Sequence, residues 1–156
     1  MKFVSEIKRT NYCGELKASN EGTETVLMGW VDSRRDHGGL VFIDLRDRTG
    51  IVQVVLNPGD ADMKVSKDFR NEFVVAIKGK VRLRPEGMQN TKLTTGAVEV
   101  EAMACDILSQ AKPLPFQISD ESVGEMLRLK YRYLDLRSDK LQKHLKVRHE
   151  FCQTVR

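Results

Sequence analysis

The stretch from Gly29 to Leu56, GWVDSRRDHGGLVFIDLRDRTGIVQVVL, constrains the fold more than any other part of this chain. Within it, Val41, Ile43 and Leu45 alternate with Leu40, Phe42, Asp44 and Arg46. Side chains of a β-strand point to opposite faces with a period of two, so this pattern predicts a strand at residues 40–46 with one buried face. Phe42 falls on the opposite, polar face. We therefore expect its ring to lie beside charged side chains and close to solvent.

Turn signals and the same alternation divide most of the chain into five strands and one helix. We expect a first strand from about Glu24 to Arg34, with Val26, Met28 and Trp30 on one face. The sequence His37-Gly38-Gly39 predicts a hairpin turn before the strand at 40–46, and a third strand follows at 51–56. A helix should begin after Asp60 and end near Arg70, with an apolar stripe of Ala61, Val65 and Phe69.

Two long strands complete the predicted barrel. In the fourth strand, from residue 73, apolar side chains should face inward: Phe73, Val75, Ile77, Val81 and Leu83. The basic side chains between them should face outward: Lys78, Lys80, Arg82 and Arg84. In the fifth strand, Val98, Val100, Ala102 and Ala104 should alternate with Glu99, Glu101, Met103 and Cys105.

This order of elements predicts a mainly β protein. Three strands, a helix and two further strands are typical of an OB-fold, a five-stranded Greek-key barrel that binds oligonucleotides. Its binding face lies on strands 2 and 3, between the loops that follow strands 1 and 4. We assign residues 1–110 to this domain.

The chain changes character after residue 110. Pro113 and Pro115 stiffen a segment that we interpret as a hinge, residues 111–137. Residues 138–156 form an amphipathic helix that Ser138 could cap, and this helix reaches Arg156 without a stop signal. We therefore expect a C-terminal hinge and helical extension that belong to a longer protein.

Composition excludes several classes of protein. No apolar run is long enough to cross a membrane, and the first ten residues lack the apolar segment of a secretory signal. Three scattered cysteines and three scattered histidines indicate neither a disulfide framework nor a metal site, so we expect a cytoplasmic protein. Residues 1–110 carry 16 basic and 16 acidic side chains, and the net charge of +4 comes from the remainder.

Phe42 is the main candidate for a binding residue. An exposed aromatic ring next to Arg34 and Arg35 is typical of a platform on which a base stacks, and Gln53 could read the edge of that base. The alternative is an ordinary strand aromatic that the N-terminal segment or the helix covers. For the basic row on strand 4, the alternative is a solvated strand face; Arg82 and Arg84 are the best candidates for ligands there.

The remaining polar residues have simpler interpretations. Glu99 is either a partner for a neighbouring arginine or an acceptor for the donor edge of guanine. His37 is most simply a turn residue, and no catalytic residue is apparent. Asp36, Asp44 and Asp47 lie among arginines, so we expect ion pairs there rather than a cation site.

Three segments carry a resemblance: the Gly29–Val55 stretch, RNEFVVAIKGKVRLRPEG and LRLKYRYLDLR. Together they closely resemble the N-terminal region of bacterial aspartyl-tRNA synthetases, from about Tyr12 to the end of the chain. The resemblance implies an OB-fold that binds the tRNA anticodon, then a hinge, then the first helix of a class II catalytic domain.

The resemblance also implies roles for individual residues. Phe42 matches the position that stacks on the central anticodon uracil, and Glu99 the position that faces the first guanine. The full set of matching anticodon-loop positions is Arg35, Phe42, Gln53, Arg70, Arg82, Arg84 and Glu99. His37 and Gly87 are similar to the loop residues of members that charge both tRNA-Asp and tRNA-Asn.

For the longer protein, the resemblance implies an ATP-dependent aspartate–tRNA ligase that uses Mg²⁺ and forms a homodimer. The class II motifs should lie beyond Arg156, so we expect no cofactor and no aminoacylation for this chain. Two alternatives stay open: a stand-alone single-strand binding OB protein, and the anticodon domain of an asparaginyl or lysyl relative.

Overall fold

The computed structural model describes residues 8–156. Residues 1–7 lie outside the described residues, and they make up most of the segment that was examined for a secretory signal. The chain divides into two compact units, with the boundary between Lys112 and Pro113. Five strands form the first unit: β1 (Glu24–His37), β2 (Leu40–Arg46), β3 (Ile51–Leu56), β4 (Val74–Leu83) and β5 (Val98–Ser109). The bounds of β2 and β3 are those predicted, whereas β1 and β5 run several residues further.

The five strands close into a barrel in the order β1-β2-β3-β5-β4. All neighbours are antiparallel except β3 and β5, which are parallel and pair only through Val54 with Val100 and Val55 with Glu101. This architecture confirms the predicted class, a mainly β five-stranded OB-fold barrel.

The predicted faces of β2 and β3 are confirmed by burial. Val41, Ile43 and Leu45 are at most 1% exposed, and so are Val52 and Val54. The β1–β2 hairpin turns at Gly38 and Gly39, whose φ angles of 61° and 89° suit a two-residue turn of the primed type. This tight turn fixes the register, in which Arg35 lies opposite Phe42.

The alternation predicted for β5 is wrong after Ala102. Ala102 pairs with Gly79 and Ala104 with Lys78, so Met103 is an additional residue in the β5 ladder. Such a bulge shifts the side chains that follow it by one position. As a result Cys105, predicted to face outward, packs in the hydrophobic core, and Met103 is exposed.

The end of β4 also differs from the prediction. Leu83, predicted to face inward, is 43% exposed, and Arg84, predicted to face outward, is buried. Leu83 is the last residue of the strand, and the loop that follows folds back so that the amide of Arg84 donates to the carbonyl of Ala97. The period of two therefore stops with the strand.

The helix between β3 and β4 is a 3₁₀ helix, Ala61–Asp68, instead of the α-helix implied by an apolar stripe with a spacing of four. In a 3₁₀ helix, side chains three residues apart in the sequence lie on the same face, and accordingly Ser66 and Phe69 are both buried. Val65 packs against the core, while the side chain of Ala61 lies outside the described residues. The side chain of Asp60, expected to cap this helix, makes no capping hydrogen bond.

Residues 13–20, before β1, are held against the barrel. Two short 3₁₀ helices, Cys13–Glu15 and Ala18–Asn20, lie in this segment. The amide of Cys13 donates to Asp47 Oδ2 at 2.7 Å, and the amide of Gly14 donates to Thr49 Oγ1 at 2.9 Å. The buried turn carboxylate of Asp47 thus joins this segment to the β2–β3 connection.

The second unit is helical, with α1 (Glu125–Lys130), α2 (Arg132–Asp135) and α3 (Asp139–Val155). Leu134 and Asp135 are buried residues of this unit, and Arg132 donates to Asp135. Apolar side chains of α3 are exposed, among them Val147 and Phe151. Among the described residues, no helix has the length and apolarity to cross a membrane.

Candidate nucleic-acid interface

A pocket of about 450 Å³ opens on the outer face of the barrel, between the β1–β2 turn and the loop after β4. Its volume lies within the range that is usual for ligand pockets. The side chains that line it come from all five strands and from the loop after β4: Arg35, His37, Phe42, Gln53, Arg82, Arg84, Pro85, Met88, Asn90 and Glu99. Six of the seven residues predicted to contact RNA are therefore brought together here.

Phe42 forms part of the pocket wall. Its residue is partly exposed, in contrast to its buried neighbours Val41 and Ile43. The rings of His37 and Phe42 form a T-shaped pair, with 6.0 Å between centroids and an interplanar angle of 70°. A partly exposed aromatic ring in a pocket wall is the kind of surface on which a base can stack.

Polar side chains next to Phe42 form a continuous hydrogen-bonded row that follows the strand order of the barrel. Arg35 Nη2 on β1 lies 3.1 Å from both carboxylate oxygens of Asp44 on β2. The same nitrogen donates to Gln53 Oε1 on β3 at 3.4 Å, and Gln53 Nε2 donates to Glu99 Oε2 on β5 at 2.8 Å. The row fixes the orientation of the Gln53 amide, with its oxygen toward Arg35 and its nitrogen toward Glu99.

Glu99 is a buried carboxylate in this row. Its side chain is 5% exposed, and Arg82 Nε on β4 donates to Glu99 Oε1 at 2.7 Å. Arg82 also lies 3.4 Å from Glu101, which is well exposed. The predicted ion pair of Glu99 with an arginine is therefore present. A carboxylate that carries charge-assisted partners on both oxygens is held in one position at the pocket floor.

Arg84 is the most unusual side chain of the pocket. It is 7% exposed, and its Nε donates to the carbonyl of Val98 at 3.1 Å. Its Nη2 is buried and has no hydrogen-bond partner among the described residues. An unpaired buried donor costs about 1–3 kcal/mol, and an acceptor supplied by a ligand in the pocket would relieve that cost.

The loop after β4 forms one lip of the pocket. The amide of Met88 donates to the carbonyl of Pro85 at 3.0 Å, which closes a four-residue turn. Gly87 lies inside this turn with φ +79°, a conformation that suits glycine. The side chain of Met88 is 69% exposed and lines the pocket, although the sequence pattern gave no signal for it.

Other candidates lie elsewhere. Arg70 is exposed after the 3₁₀ helix and is not part of the pocket lining. Arg34, on β1, contacts Asp36 at 3.5 Å. Lys78 pairs with Glu24 at 3.2 Å, and both side chains are exposed. This end of the basic row on β4 is therefore a solvated strand face, which was the alternative to a ligand-binding role.

The aspartates of this region are occupied by protein donors. Asp36 and Asp44 make ion pairs with arginines, as expected. Asp47 instead accepts hydrogen bonds from backbone amides and a hydroxyl group. Among the side chains that the structure describes, no group of three or more His, Cys, Asp or Glu could hold a metal ion.

Several known proteins are similar to this chain in sequence or in fold. The curated relatives include an aspartate–tRNA(Asp/Asn) ligase from Geotalea uraniireducens, 52% identical over 99% of this chain and 26% of its own length. The asparaginyl-tRNA synthetase of Pyrococcus horikoshii superposes with a TM-score of 0.77 at 27% identity, over 92% of this chain and 32% of that one. The aspartyl-tRNA synthetase of Entamoeba histolytica, 20% identical, shares the fold with a TM-score of 0.83, over 97% of this chain and 37% of that one.

The chain thus spans about a quarter of the length of the curated relatives that it matches. The resemblance noted from the sequence is confirmed by these relatives. A family model described as an OB-fold nucleic acid binding domain, of the tRNA anti-codon type, matches residues 25–108, more than half of the chain. The chain belongs to this family of OB-fold nucleic acid binding domains.

Proposed function

We propose that the pocket binds the anticodon loop of tRNA-Asp, with the triplet GUC. The observation that carries the proposal is the juxtaposition of a partly exposed ring with a fixed amide and a fixed carboxylate in one pocket. The central uracil stacks on Phe42, which contributes about 1–3 kcal/mol. Glu99 accepts the imino and amino donors of the first guanine, and Gln53 contacts a base edge.

Charge supports this proposal. Three arginines and one carboxylate line the pocket, whereas the first 110 residues together are neutral. Guanidinium groups bind phosphate oxygens and base acceptors with two parallel hydrogen bonds. The buried Nη2 of Arg84 supplies a donor for such an acceptor. We expect affinity to fall as salt rises, since phosphate contacts release counterions.

The test uses fluorescence anisotropy with labelled RNA hairpins whose loops carry GUC, GUU, UUU or a scrambled triplet. We expect the 156-residue chain to prefer GUC at least tenfold over UUU and the scrambled loop. Equal affinity for all four loops would instead indicate a sequence-tolerant single-strand binding protein. A preference for UUU would indicate a lysyl-type domain, and a preference for GUU an asparaginyl-type domain.

We also propose that the pocket accepts tRNA-Asn, whose anticodon differs only in the third base. Support comes from the relatives, whose names specify tRNA(Asp/Asn). His37 lines the pocket and Gly87 lies in the turn at its lip, and we propose that this small ring and this glycine accept either pyrimidine. We expect GUC and GUU hairpins to bind within about tenfold of each other. A preference above about a hundredfold for GUC would reject this part of the proposal.

We propose that the whole protein is an aspartate–tRNA ligase, a homodimer of the cytoplasm that uses ATP and Mg²⁺. No step of that chemistry is assigned to the described residues. We expect the chain to show no ATP–pyrophosphate exchange with aspartate, and exchange well above background would contradict this expectation.

A further inference from the structure

Asp44 has an unexpected position for a residue beside an RNA-binding pocket. It is a carboxylate next to Phe42 on β2, with a side chain only 20% exposed. A negative charge at this place repels phosphate, so electrostatics alone predicts that its removal strengthens RNA binding. Its contacts suggest the opposite effect.

Asp44 is the anchor of the Arg35 guanidinium. Arg35 is half exposed, and a side chain of this length has many rotamers in solution. Two contacts of 3.1 Å to the Asp44 carboxylate hold its Nη2 on the outer face of β2, within reach of the Gln53 amide. The hydroxyl of Ser33 donates to Asp44 Oδ2 at 2.5 Å and holds the carboxylate in turn.

The register of the strands makes this arrangement specific. Ser33 and Gln53 are the residues paired with Asp44 on its two sides, and Phe42 is the residue paired with Arg35. Asp44 therefore lies between the donors of β1 and the amide of β3. Without it, Arg35 would lose its only charged partner among the described contacts, and Gln53 would lose the donor that fixes its oxygen.

We propose that Asp44 is a positioning residue for RNA recognition: it strengthens binding of the anionic ligand by fixing Arg35, and through Arg35 the Gln53 amide. This inference rests on the proposed anticodon binding. Asp44 itself does not contact the RNA in this arrangement. Its contribution is to remove, before binding, the conformational entropy that Arg35 would otherwise lose.

The test is a double-mutant cycle with the GUC hairpin, using wild type, Asp44→Ala, Arg35→Ala and the double variant. We expect Asp44→Ala to weaken binding by about tenfold in the wild-type background and by less than about twofold in the Arg35→Ala background. Asp36→Ala is the matched control, because it removes the same charge from a neighbouring site that contacts Arg34 instead. We expect its affinity to be unchanged or slightly higher.

Two results would overturn the proposal: unchanged or tighter binding by Asp44→Ala, or an equal loss in both backgrounds. Asp44→Asn keeps one neutral acceptor, so we expect it to lose an intermediate amount of affinity for the GUC hairpin. It replaces Asp44→Ala if that variant does not fold. A readout without RNA separates this proposal from the proposed function. The NMR order parameter of the Arg35 side chain should fall in both Asp44 variants, and an unchanged value refutes the positioning role even if no hairpin binds.

Discussion

Asp47 provides the sharpest test of how the barrel is held together. Its carboxylate accepts hydrogen bonds from the Cys13 amide at 2.7 Å, the Thr49 amide at 2.8 Å and the Thr49 hydroxyl at 2.7 Å. Thr49 is exposed, so water can replace Asp47 as its acceptor, whereas Cys13 is fully buried. The cost of Asp47→Ala therefore comes mainly from the Cys13 amide.

We expect Asp47→Ala to lower the free energy of unfolding by about 2–3 kcal/mol, the cost of a lost charge-assisted hydrogen bond and an unpaired buried donor. Urea denaturation followed by the fluorescence of Trp30, the single tryptophan, measures it. Asp60→Ala is the control, because Asp60 is exposed and makes no capping bond, and we expect a change below about 0.5 kcal/mol. A loss below about 0.5 kcal/mol for Asp47→Ala as well would refute the reasoning.

The same site predicts a dependence on pH. Burial raises the pKa of Asp47, but hydrogen bonds from Cys13 and Thr49 outweigh this effect, so its pKa is lowered in the folded protein. A carboxyl group with a lowered folded-state pKa stabilises the protein above its unfolded pKa of about 3.9 and loses this effect as pH falls through the folded value. The stability difference between wild type and Asp47→Ala should therefore shrink as pH falls below about 4, and a constant difference would contradict this assignment.

Three further changes have defined outcomes. Phe42→Ala should weaken binding of the GUC hairpin by about 1–3 kcal/mol while Phe42→Trp retains it, as measured by anisotropy, and equal affinities would exclude stacking. Glu99→Gln should reduce the preference for guanine over adenine at the first position by about tenfold, and an unchanged preference would show that Glu99 does not read this base. Gly79→Ala should destabilise the barrel by about 2–3 kcal/mol in urea denaturation, because the added Cβ would lie 2.4 Å from the carbonyl oxygen of Glu101. Gly124→Ala is the control, since a Cβ at Gly124 would meet no atom within 4 Å, and equal stabilities of the two variants would contradict this account.

The parts of the fold that local alternation determines were predictable. β2 and β3 pair through a complete ladder, and burial follows the period of two along β2 and from Ile51 to Val54; Val55, which is paired with Phe42, is buried as well. The sequence pattern also placed Phe42 and Gln53 on one face, and the pocket contains both.

The parts that depend on distant contacts were not predictable. The bulge at Met103 moves Cys105 into the core because of the pairing between β4 and β5, which no local pattern of either strand shows. Arg84 is buried because its loop returns to Ala97 and Val98. Met88 reaches the pocket only through the turn at Gly87, and a turn signal does not tell which side chain it presents.

The pairing of β5 between β3 and β4 has a consequence for synthesis of the protein on the ribosome. β5 is the last strand of the chain, yet both β3 and β4 need it as a neighbour, and Val54 meets Val100 across 46 residues. A nascent chain that ends before Val98 can form hairpins but leaves two unpaired sheet edges. The barrel therefore closes only after β5 has left the exit tunnel, although hairpins of the first four strands can form before then.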